Sequence, residues 1–178
     1  MLRKRTIIIL LLIIIIVASM PSKENTLGSY ENPAPMQRTG QFYIDIYDEN
    51  GNSHDGLATI RLEEVARGEE VHRQLVQANK LSEEIPGGYE WAIIKVDFGV
   101  ESENTSETYP IMLWFDAYDS VGVESPSQDV VLENDFGYAE LRSGETHSGY
   151  KAILVPTEDY SGVRVSDWDL ELYFAPKI

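Results

Sequence analysis

The stretch that decides the fold is Tyr89–Val100, which reads Tyr-Glu-Trp-Ala-Ile-Ile-Lys-Val-Asp-Phe-Gly-Val. In an extended chain successive side chains point to opposite faces, so alternate residues share a face. One face of this stretch is almost entirely apolar and consists of Ala92, Ile94, Val96, Phe98 and Val100. The other face is amphipathic, with Trp91 and Ile93 beside Lys95 and Asp97. The pattern predicts a strand buried on one face and partly on the other, as in the centre of an antiparallel β-sandwich.

Further segments with the same alternation lie on both sides of this strand. Gln41–Tyr47 and Leu57–Val65 flank the turn-forming run Asp48–Asn52, and together they predict a β-hairpin. Other strands are predicted at Ile111–Asp119, Val130–Leu132, Phe136–Leu141, Gly149–Val155 and Trp168–Phe174. About seven to nine short strands separated by turn clusters favour a β-sandwich over a parallel α/β sheet.

One segment breaks the period of two. Within Arg67–Lys80, Val71, Leu75 and Ala78 recur at helical spacing, and two glutamates stand where a helix N-terminus favours negative charge. The segment predicts one short helix, which we expect to cross the end of the sandwich.

The first twenty residues form a leader. Arg3, Lys4 and Arg5 precede the twelve apolar residues Ile7–Ala18, and a basic start before a short apolar core indicates a secretory signal. A membrane-spanning helix usually needs about 20 apolar residues. Because the small residues after the core make a weak cleavage site, an uncleaved signal anchor is the alternative. Both outcomes predict a domain outside the cytoplasm, either secreted or anchored at the extracellular face of the membrane.

The sequence therefore divides into three parts. Residues 1–20 are predicted to be a signal peptide or signal anchor, and residues 21–37 a polar tether and lead-in segment that contains Pro33 and Pro35. Residues 38–178 are the right length for a single β-sandwich domain.

Charge and cysteine content restrict the function. Among 178 residues, 30 Asp and Glu stand against 14 Lys and Arg, a formal net charge of −16. This excess disfavours nucleic acid and anionic lipid surfaces, and favours cationic partners or loosely held divalent cations. The absence of cysteine excludes disulfides, thiolate metal sites and cysteine nucleophiles. The three histidines, His54, His72 and His147, are too scattered for a zinc motif.

Four short motifs follow one another in a fixed order: Gly28–Pro35, Glu64–Glu69, Pro86–Glu90 and Asp119–Gly122. With these motifs the chain resembles a family of secreted bacterial immunoglobulin-like domains of unknown function, grouped with a mycobacterial immunoprotective extracellular antigen. The resemblance implies an all-β fold, an immunoglobulin-like antiparallel β-sandwich with one short helix, which is exported and has no established catalytic residues. The chain departs from the family in lacking the lipobox cysteine of many relatives. The glycine expected soon after Pro35 also arrives late, at Gly40.

One segment contains the oxygen ligands of a calcium loop. Asp48–Asp55 alternates acidic and amide side chains, but its Gly51 is the fourth residue instead of the sixth, and Thr59 stands where a bidentate glutamate is needed. We interpret the segment as a hairpin turn, with weak calcium binding as the alternative.

Three groupings contain residue types that occur in catalysis. Ser148–Lys151 matches a Ser-x-x-Lys pattern, but strand alternation points the serine and the lysine to opposite faces. His147, between two hydroxyl residues, is interpreted as a solvated turn histidine. The adjacent acids diverge on a strand and are interpreted as surface residues; they are Glu63 with Glu64, Glu69 with Glu70, and Glu83 with Glu84. The sequence thus assigns no catalytic, cofactor-binding or metal-binding residue, and it predicts a protein that is not an enzyme and has no cofactor.

Four aromatic residues fall on the outward parity of their strands: Trp91, Trp114, Tyr118 and Tyr173. If they are neighbours in a sheet, they form a patch that can stack on sugars or hold a peptide. The favoured interpretation is that they pack beneath the helix or a long loop.

Together these features predict an exported, non-enzymatic immunoglobulin-like module that binds an extracellular protein, peptide or cell-envelope component. Its ligand surface would be the outward aromatic face or the loops at one end of the sandwich. No nucleic-acid partner is predicted, and membrane contact is expected only through an uncleaved leader. The alternative is a secreted inhibitor or immunity-type protein that acts on a basic target. A third interpretation is a secreted hydrolase with an unrecognised site.

Overall fold

The computed structural model describes residues 28–78, 84–103, 106–128, 130–167 and 170–176, and these residues are mostly strand, which confirms the all-β class. They contain one short helix and ten strands. In chain order these elements are β1 (Ala34–Pro35), β2 (Gly40–Tyr47), β3 (Ser53–Arg67), α1 (Glu69–Gln77), β4 (Tyr89–Ser102), β5 (Thr108–Ile111), β6 (Trp114–Asp119), β7 (Ala139–Arg142), β8 (Thr146–Pro156), β9 (Tyr160–Ser166) and β10 (Glu171–Ala175).

Two four-stranded sheets and one strand pair make up the described fold. The long-strand sheet has the order β2-β3-β4-β8 and is antiparallel throughout. The short-strand sheet has the order β1-β10-β9-β6, in which β1 and β10 are parallel and the other pairs are antiparallel. Strands β5 and β7 form a separate antiparallel pair.

Strand β4 supplies the centre of the core, as predicted. The five alternate side chains from Ala92 to Val100 are all at most 2% exposed. They belong to one buried cluster that includes Ile60 and Leu62 of the long-strand sheet and Val163, Leu172 and Phe174 of the short-strand sheet. The two sheets therefore share one core.

The predicted hairpin of β2 and β3 is present. The two strands pair in continuous register from Gly40 opposite Ile60 to Tyr47 opposite Ser53. Their turn contains Gly51 with a φ of 80°, a left-handed conformation that glycine adopts without a Cβ clash.

Helix α1 lies within the predicted segment but not in the predicted place. Val71 and Leu75 are buried against Trp91, together with Ala152 and Leu154, so the helix covers the outer face of the long-strand sheet instead of crossing the end of the sandwich. The physical reason is that β4 and β8 carry large apolar side chains on that face as well, and these need a cover.

Several predicted strand boundaries differ from the structure. Ile111–Asp119 is not one strand. Strand β5 ends at Ile111, and the chain then enters the short-strand sheet as β6, which starts at Trp114. Residues 130–132 form no strand. The strand predicted at Phe136–Leu141 corresponds to β7, which covers Ala139–Arg142. Strand β9 has no counterpart among the predicted strands. The last strand, β10, starts at Glu171, and Trp168 lies outside the described residues.

Part of the predicted tether contacts the core. Ala34 and Met36 are 5% and 4% exposed, and β1 pairs with β10. The Met36 N–H donates to the Ala175 carbonyl at 2.8 Å, and the Tyr173 N–H donates to the Gly28 carbonyl at 3.1 Å. Residues 28–36 are thus attached to the short-strand sheet.

The predicted signal or anchor, residues 1–20, lies outside the described residues. Within the part of the chain that the structure describes, no helix has the length and apolar character needed to cross a membrane.

Candidate functional site

A cavity lies where an edge of one sheet meets an edge of the other. Strand β6 is the last strand of the short-strand sheet and β8 is the last strand of the long-strand sheet. Between them is a groove of about 580 Å³, and the segment after β6 forms its third wall. We call this cavity the edge groove; it is lined mainly by Leu113–Ala117, Ser125–Gln128, Val130, Val131, Lys151–Leu154 and Arg164.

The backbone of β8 presents hydrogen-bonding groups along this groove. The Tyr150 N–H donates to the Asn134 carbonyl at 2.8 Å, and the Tyr150 carbonyl accepts from the Phe136 N–H at 2.9 Å. The backbone N–H and C=O of Tyr150 therefore point away from β4. In an antiparallel ladder the backbone groups of every second residue point the same way. The continuous register puts Ala152 and Leu154 in that position.

A second contact supports this orientation. Trp91, which lies opposite Leu154, uses its carbonyl to accept from the Gly68 N–H at 2.9 Å on the other side of β4. The Trp91–Leu154 pair is thus a non-hydrogen-bonded pair. Within the described chain, the outward N–H and C=O groups of Ala152 and Leu154 have no backbone partner.

The edge of β6 is covered at one end and open at the other. The Ala117 carbonyl accepts from the Ser125 N–H at 2.8 Å, and the Asp119 N–H donates to the Val123 carbonyl at 3.1 Å. By the same alternation Phe115 points its backbone groups away from β9. None of the hydrogen bonds between described residues uses them, so both walls of the edge groove contain an open strand edge.

The lining of the edge groove combines apolar side chains with polar and charged ones. Ile153 belongs to the shared core and Phe115 packs against it. Trp114 is 42% exposed and Val131 is 65% exposed. The groove therefore offers both apolar surface and hydrogen-bonding groups to a ligand.

Two cations line the edge groove, and both are held by carboxylates. Lys151 Nζ donates to Asp135 Oδ2 at 2.7 Å. Arg164 bonds Asp116 at 2.9 Å and Glu124 at 2.5 Å, and Glu171 lies 3.4 Å away. Burial acts to lower the pKa of Arg164, but the hydrogen bond to Asp116 and the nearby Glu124 outweigh it and raise that pKa above its ordinary value. These four carboxylates outnumber the two cations, so the charged cluster that borders the groove has a net negative charge. We call this cluster the acidic rim.

The four predicted aromatic residues do not form one patch. Trp91 is fully buried beneath α1, as the packing interpretation expects, while Trp114 stands on the rim of the edge groove. Tyr118 and Tyr173 contact each other on the short-strand sheet with ring centroids 5.4 Å apart, and Tyr30 joins both.

The tyrosine cluster has a structural role. Tyr118 is 4% exposed, and burial together with the neighbouring Tyr30 and Tyr173 raises its pKa to about 12. Its ring covers Gly162, where a Cβ atom would come within 2.6 Å of the Tyr118 hydroxyl. An aromatic ring over a strand glycine restores packing that the glycine lacks.

The run Asp48–Asp55 contains the hairpin turn, and its residues from Ser53 onward belong to β3. Asp48 Oδ1 accepts from the backbone N–H groups of Asn50 and Asn52, and Oδ2 accepts from the Asn52 side chain at 2.7 Å. The Asn52 side chain is the main cause that lowers the pKa of Asp48 to about 2. Among the described residues no group of three or more acidic or histidine side chains is arranged to hold a metal ion.

The residue types associated with catalysis have separate partners. Ser148 donates to Asp97 at 2.7 Å, whereas Lys151 bonds Asp135. His147 lies in β8 and is half-buried, with its ring 4.8 Å from that of Phe136. The interpretation of His147 as a solvated turn residue is therefore wrong. The physical reason is that the Phe136 backbone crosses directly over β8 at Gly149, and the Phe136 ring packs against His147.

Of the adjacent acids, Glu63 and Glu64 have separate partners, Glu69 and Glu70 lie in α1 instead of on a strand, and Glu83 lies outside the described residues. Glu63 bonds Arg61 at 3.4 Å, and Glu64 contacts Arg67 at 3.6 Å. Glu64 lines a second cavity of about 260 Å³, together with Met36, Gln37, Arg67, Tyr160 and Pro176.

This second cavity is the weaker candidate. Burial raises the pKa of Glu64, and the nearby Arg67 only partly opposes that effect. Burial also raises the pKa of Tyr160. However, Glu64 Oε2 and the Tyr160 hydroxyl are shielded from solvent as well as unpartnered, so the cavity does not present them to a ligand.

No family model, curated protein or solved structure matches this chain.

The edge groove could not be found from the sequence. It joins β6, β8 and residues 125–128, 130 and 131, and the signal needed is the pairing of distant strands. Nothing in the composition of Ser125–Ser127 indicates that this segment forms a wall of a groove.

Proposed function

We propose that this chain is an exported, non-enzymatic binding module that holds an extended segment of a protein or peptide in the edge groove. The observation that carries the proposal is the presence of open strand edges, among the described residues, on both walls of one cavity. Peptide-binding modules commonly use such edges, because backbone hydrogen bonds supply affinity and flanking pockets supply specificity.

An immunoglobulin-like sandwich is part of the proposal. Its support is that two mainly antiparallel sheets share one core and that the four sequence motifs resemble secreted domains of this type. Export is proposed from the basic and apolar leader. With such a leader the module would work outside the cytoplasm, either free or anchored.

A non-enzymatic role is supported by the separation of the reactive side chains. Ser148 bonds an aspartate on β4, and His147 packs on Phe136 without a hydrogen-bond partner for its buried Nε2 among the described residues. A nucleophile and its base need to lie within hydrogen-bond reach of each other.

A secreted inhibitor or immunity-type protein remains the second candidate, favoured by the net charge of −16. It predicts tight one-to-one binding to a folded basic protein that weakens strongly with salt. The leading proposal predicts weaker binding than this. It also predicts that a short peptide binds about as tightly as the same segment does within its parent protein.

The proposal is tested by fluorescence anisotropy with the full-length protein and labelled decapeptides that are cationic, neutral or acidic. We expect at least one class to bind, and Trp114→Ala to weaken that binding about tenfold or more, as truncation of a central tryptophan does in other interfaces. Tyr43→Ala is the matched control, since Tyr43 has a similar exposure, 44%, on β2 at the opposite edge of the long-strand sheet. Equal effects of both variants, or no binding by any class, would reject the edge groove as the site.

A further inference from the structure

We propose that the occupant of the edge groove is a cationic peptide that joins the long-strand sheet as an added strand on β8. This inference rests on the proposed function, because it specifies how the edge groove binds and what chemistry its ligand has. It makes two statements that can fail separately: one about backbone pairing and one about charge.

Strand β8 is the better edge of the two. On successive outward positions, Ala152 and Leu154 each present an N–H and a C=O that have no backbone partner among the described residues. On β6 the neighbouring outward positions, Ala117 and Asp119, are already bonded to residues 123–125, which leaves only Phe115. A peptide gains more ladder hydrogen bonds on β8, and these bonds provide the affinity in strand addition.

The β8 edge already accepts one such partner. Asp135 forms a parallel bridge with Tyr150, and the flanking backbone atoms of residues 134 and 136 complete it. This segment leaves the edge after Phe136, one outward position before Ala152. An added peptide would continue the same edge where residues 134–136 stop.

The charge of the rim points to a cationic peptide. Lys151 and Arg164 are engaged by Asp135, Asp116 and Glu124, and Glu124 is about half exposed at its side chain. The whole chain is also strongly acidic, which steers cations toward it. Trp114, which is 42% exposed, adds an aromatic side chain that can attract a lysine or arginine.

The lining contains both apolar and charged residues, and for this reason lysines and apolar residues should alternate along the peptide. In a strand, residues of one parity share a face, so lysines at alternate positions can reach Trp114 and the acidic rim. The residues between them would face Phe115 and Ile153.

A second copy of this chain fits the edge groove poorly. Two molecules of net charge −16 repel each other. Lys151 also shares the inward parity of Ile153 on this edge, and an inward-pointing charge is a device that opposes pairing between sheet edges of like copies. The structure therefore favours a peptide of opposite charge.

The test uses the ¹⁵N-labelled full-length protein and a capped hexapeptide of alternating lysine and valine. In a strand the N–H groups of alternate residues point to the same edge, so the valine N–H groups face one neighbour and the lysine N–H groups the other. Two matched probes are N-methylated at every valine or at every lysine. A fourth probe replaces each lysine by glutamate.

We expect the parent peptide to slow amide hydrogen exchange at Ala152 and Leu154 by about tenfold or more. One N-methylated isomer should bind about tenfold more weakly than the parent, while the other keeps its affinity. The glutamate peptide should also bind about tenfold more weakly, and the gap between the lysine and glutamate peptides should narrow in high salt.

Each contrary result overturns a defined statement. If both N-methylated isomers bind like the parent and the two amides exchange unchanged, strand addition on β8 is wrong, although peptide binding in the edge groove stands. If the glutamate peptide binds as tightly as the lysine peptide, the cationic occupant is wrong. If none of the unmethylated peptides shifts signals from the edge groove, the proposed function fails together with this inference.

Discussion

At the scale of single residues, short polar side chains determine the turn between β2 and β3. Asp48 accepts three hydrogen bonds from Asn50 and Asn52, a local arrangement typical of aspartate in turns. The ionised carboxylate is the form that accepts all three. The low pKa of Asp48, about 2, therefore measures how strongly the folded turn prefers that form.

Replacing Asn52 by alanine should raise the pKa of Asp48 toward its ordinary value of 3.8, because the side-chain hydrogen bond of Asn52 is the main cause of the shift. The folded pKa lies below the unfolded one, so this contribution to stability is present above pH 3.8 and is lost as the pH falls toward 2. Carboxyl-detected NMR titration checks the pKa.

The control for that experiment is Asn50→Ala, because Asn50 contacts Asp48 through its backbone N–H only. This variant should keep the pKa of Asp48 low. Two results would contradict the assignment of the shift to the Asn52 side chain. One is a pKa of Asp48 near its ordinary value of 3.8 in Asn50→Ala, and the other is a pKa of Asp48 of about 2 in Asn52→Ala.

The residue scale also shows what parity can and cannot predict. Trp91 and Trp114 both fall on outward positions of their strands, yet Trp91 is fully buried and Trp114 is 42% exposed. The difference arises because α1 covers only the long-strand sheet. Sequence alternation assigns a side chain to a face, but it does not tell which face another element will cover.

At the scale of elements, the strongest sequence signals gave correct strands. The inward row of β4 and the hairpin of β2 and β3 follow strict alternation over many residues, and both are present. Strand β9 was missed because its alternation is short, with only Val163 and Val165 as apolar residues on the inward face. The break between β5 and β6 was missed because alternation continues through a change of partner strand.

The contribution of the buried, inward-facing side chains of β4 to stability can be measured with two matched valine substitutions. Val96→Ala should lower the free energy of unfolding by about 2 kcal/mol or more, because each buried methylene group contributes about 0.8 kcal/mol and a cavity is left behind. Val65→Ala removes the same atoms from a side chain that is 54% exposed and should change stability by less than about 0.5 kcal/mol. Urea denaturation followed by circular dichroism checks both, and equal losses would contradict the role of β4.

At the scale of the whole molecule, the edge groove arises from the order of strands in two sheets. Strands β6 and β8 become neighbours only because each is the last strand of its sheet. No local pattern contains that order, so the fold class was predictable and the candidate site was not. The negative charge of the chain, by contrast, is a sum over residues and was available from the start.

Residues 28–37 should be needed for full stability of the fold, although the sequence suggested a tether. A chain that starts at residue 38 loses β1 and the buried side chains of Ala34 and Met36. Burial of a methionine contributes about 1.5–3 kcal/mol, which corresponds to a fall in Tm of about 5 °C or more for a protein of this size. Thermal denaturation of chains that begin at residues 28 and 38 checks this, and equal Tm values would contradict it.

The parallel pairing of β1 with β10 has a mechanical consequence. Because the two strands run in the same direction, pulling on the amino side of β1 and the carboxyl side of β10 slides one strand along the other. The backbone bonds at Gly28 and Met36 then carry the load in shear and have to break together instead of opening one after another. A molecule held at one end and pulled at the other would resist force at this junction first.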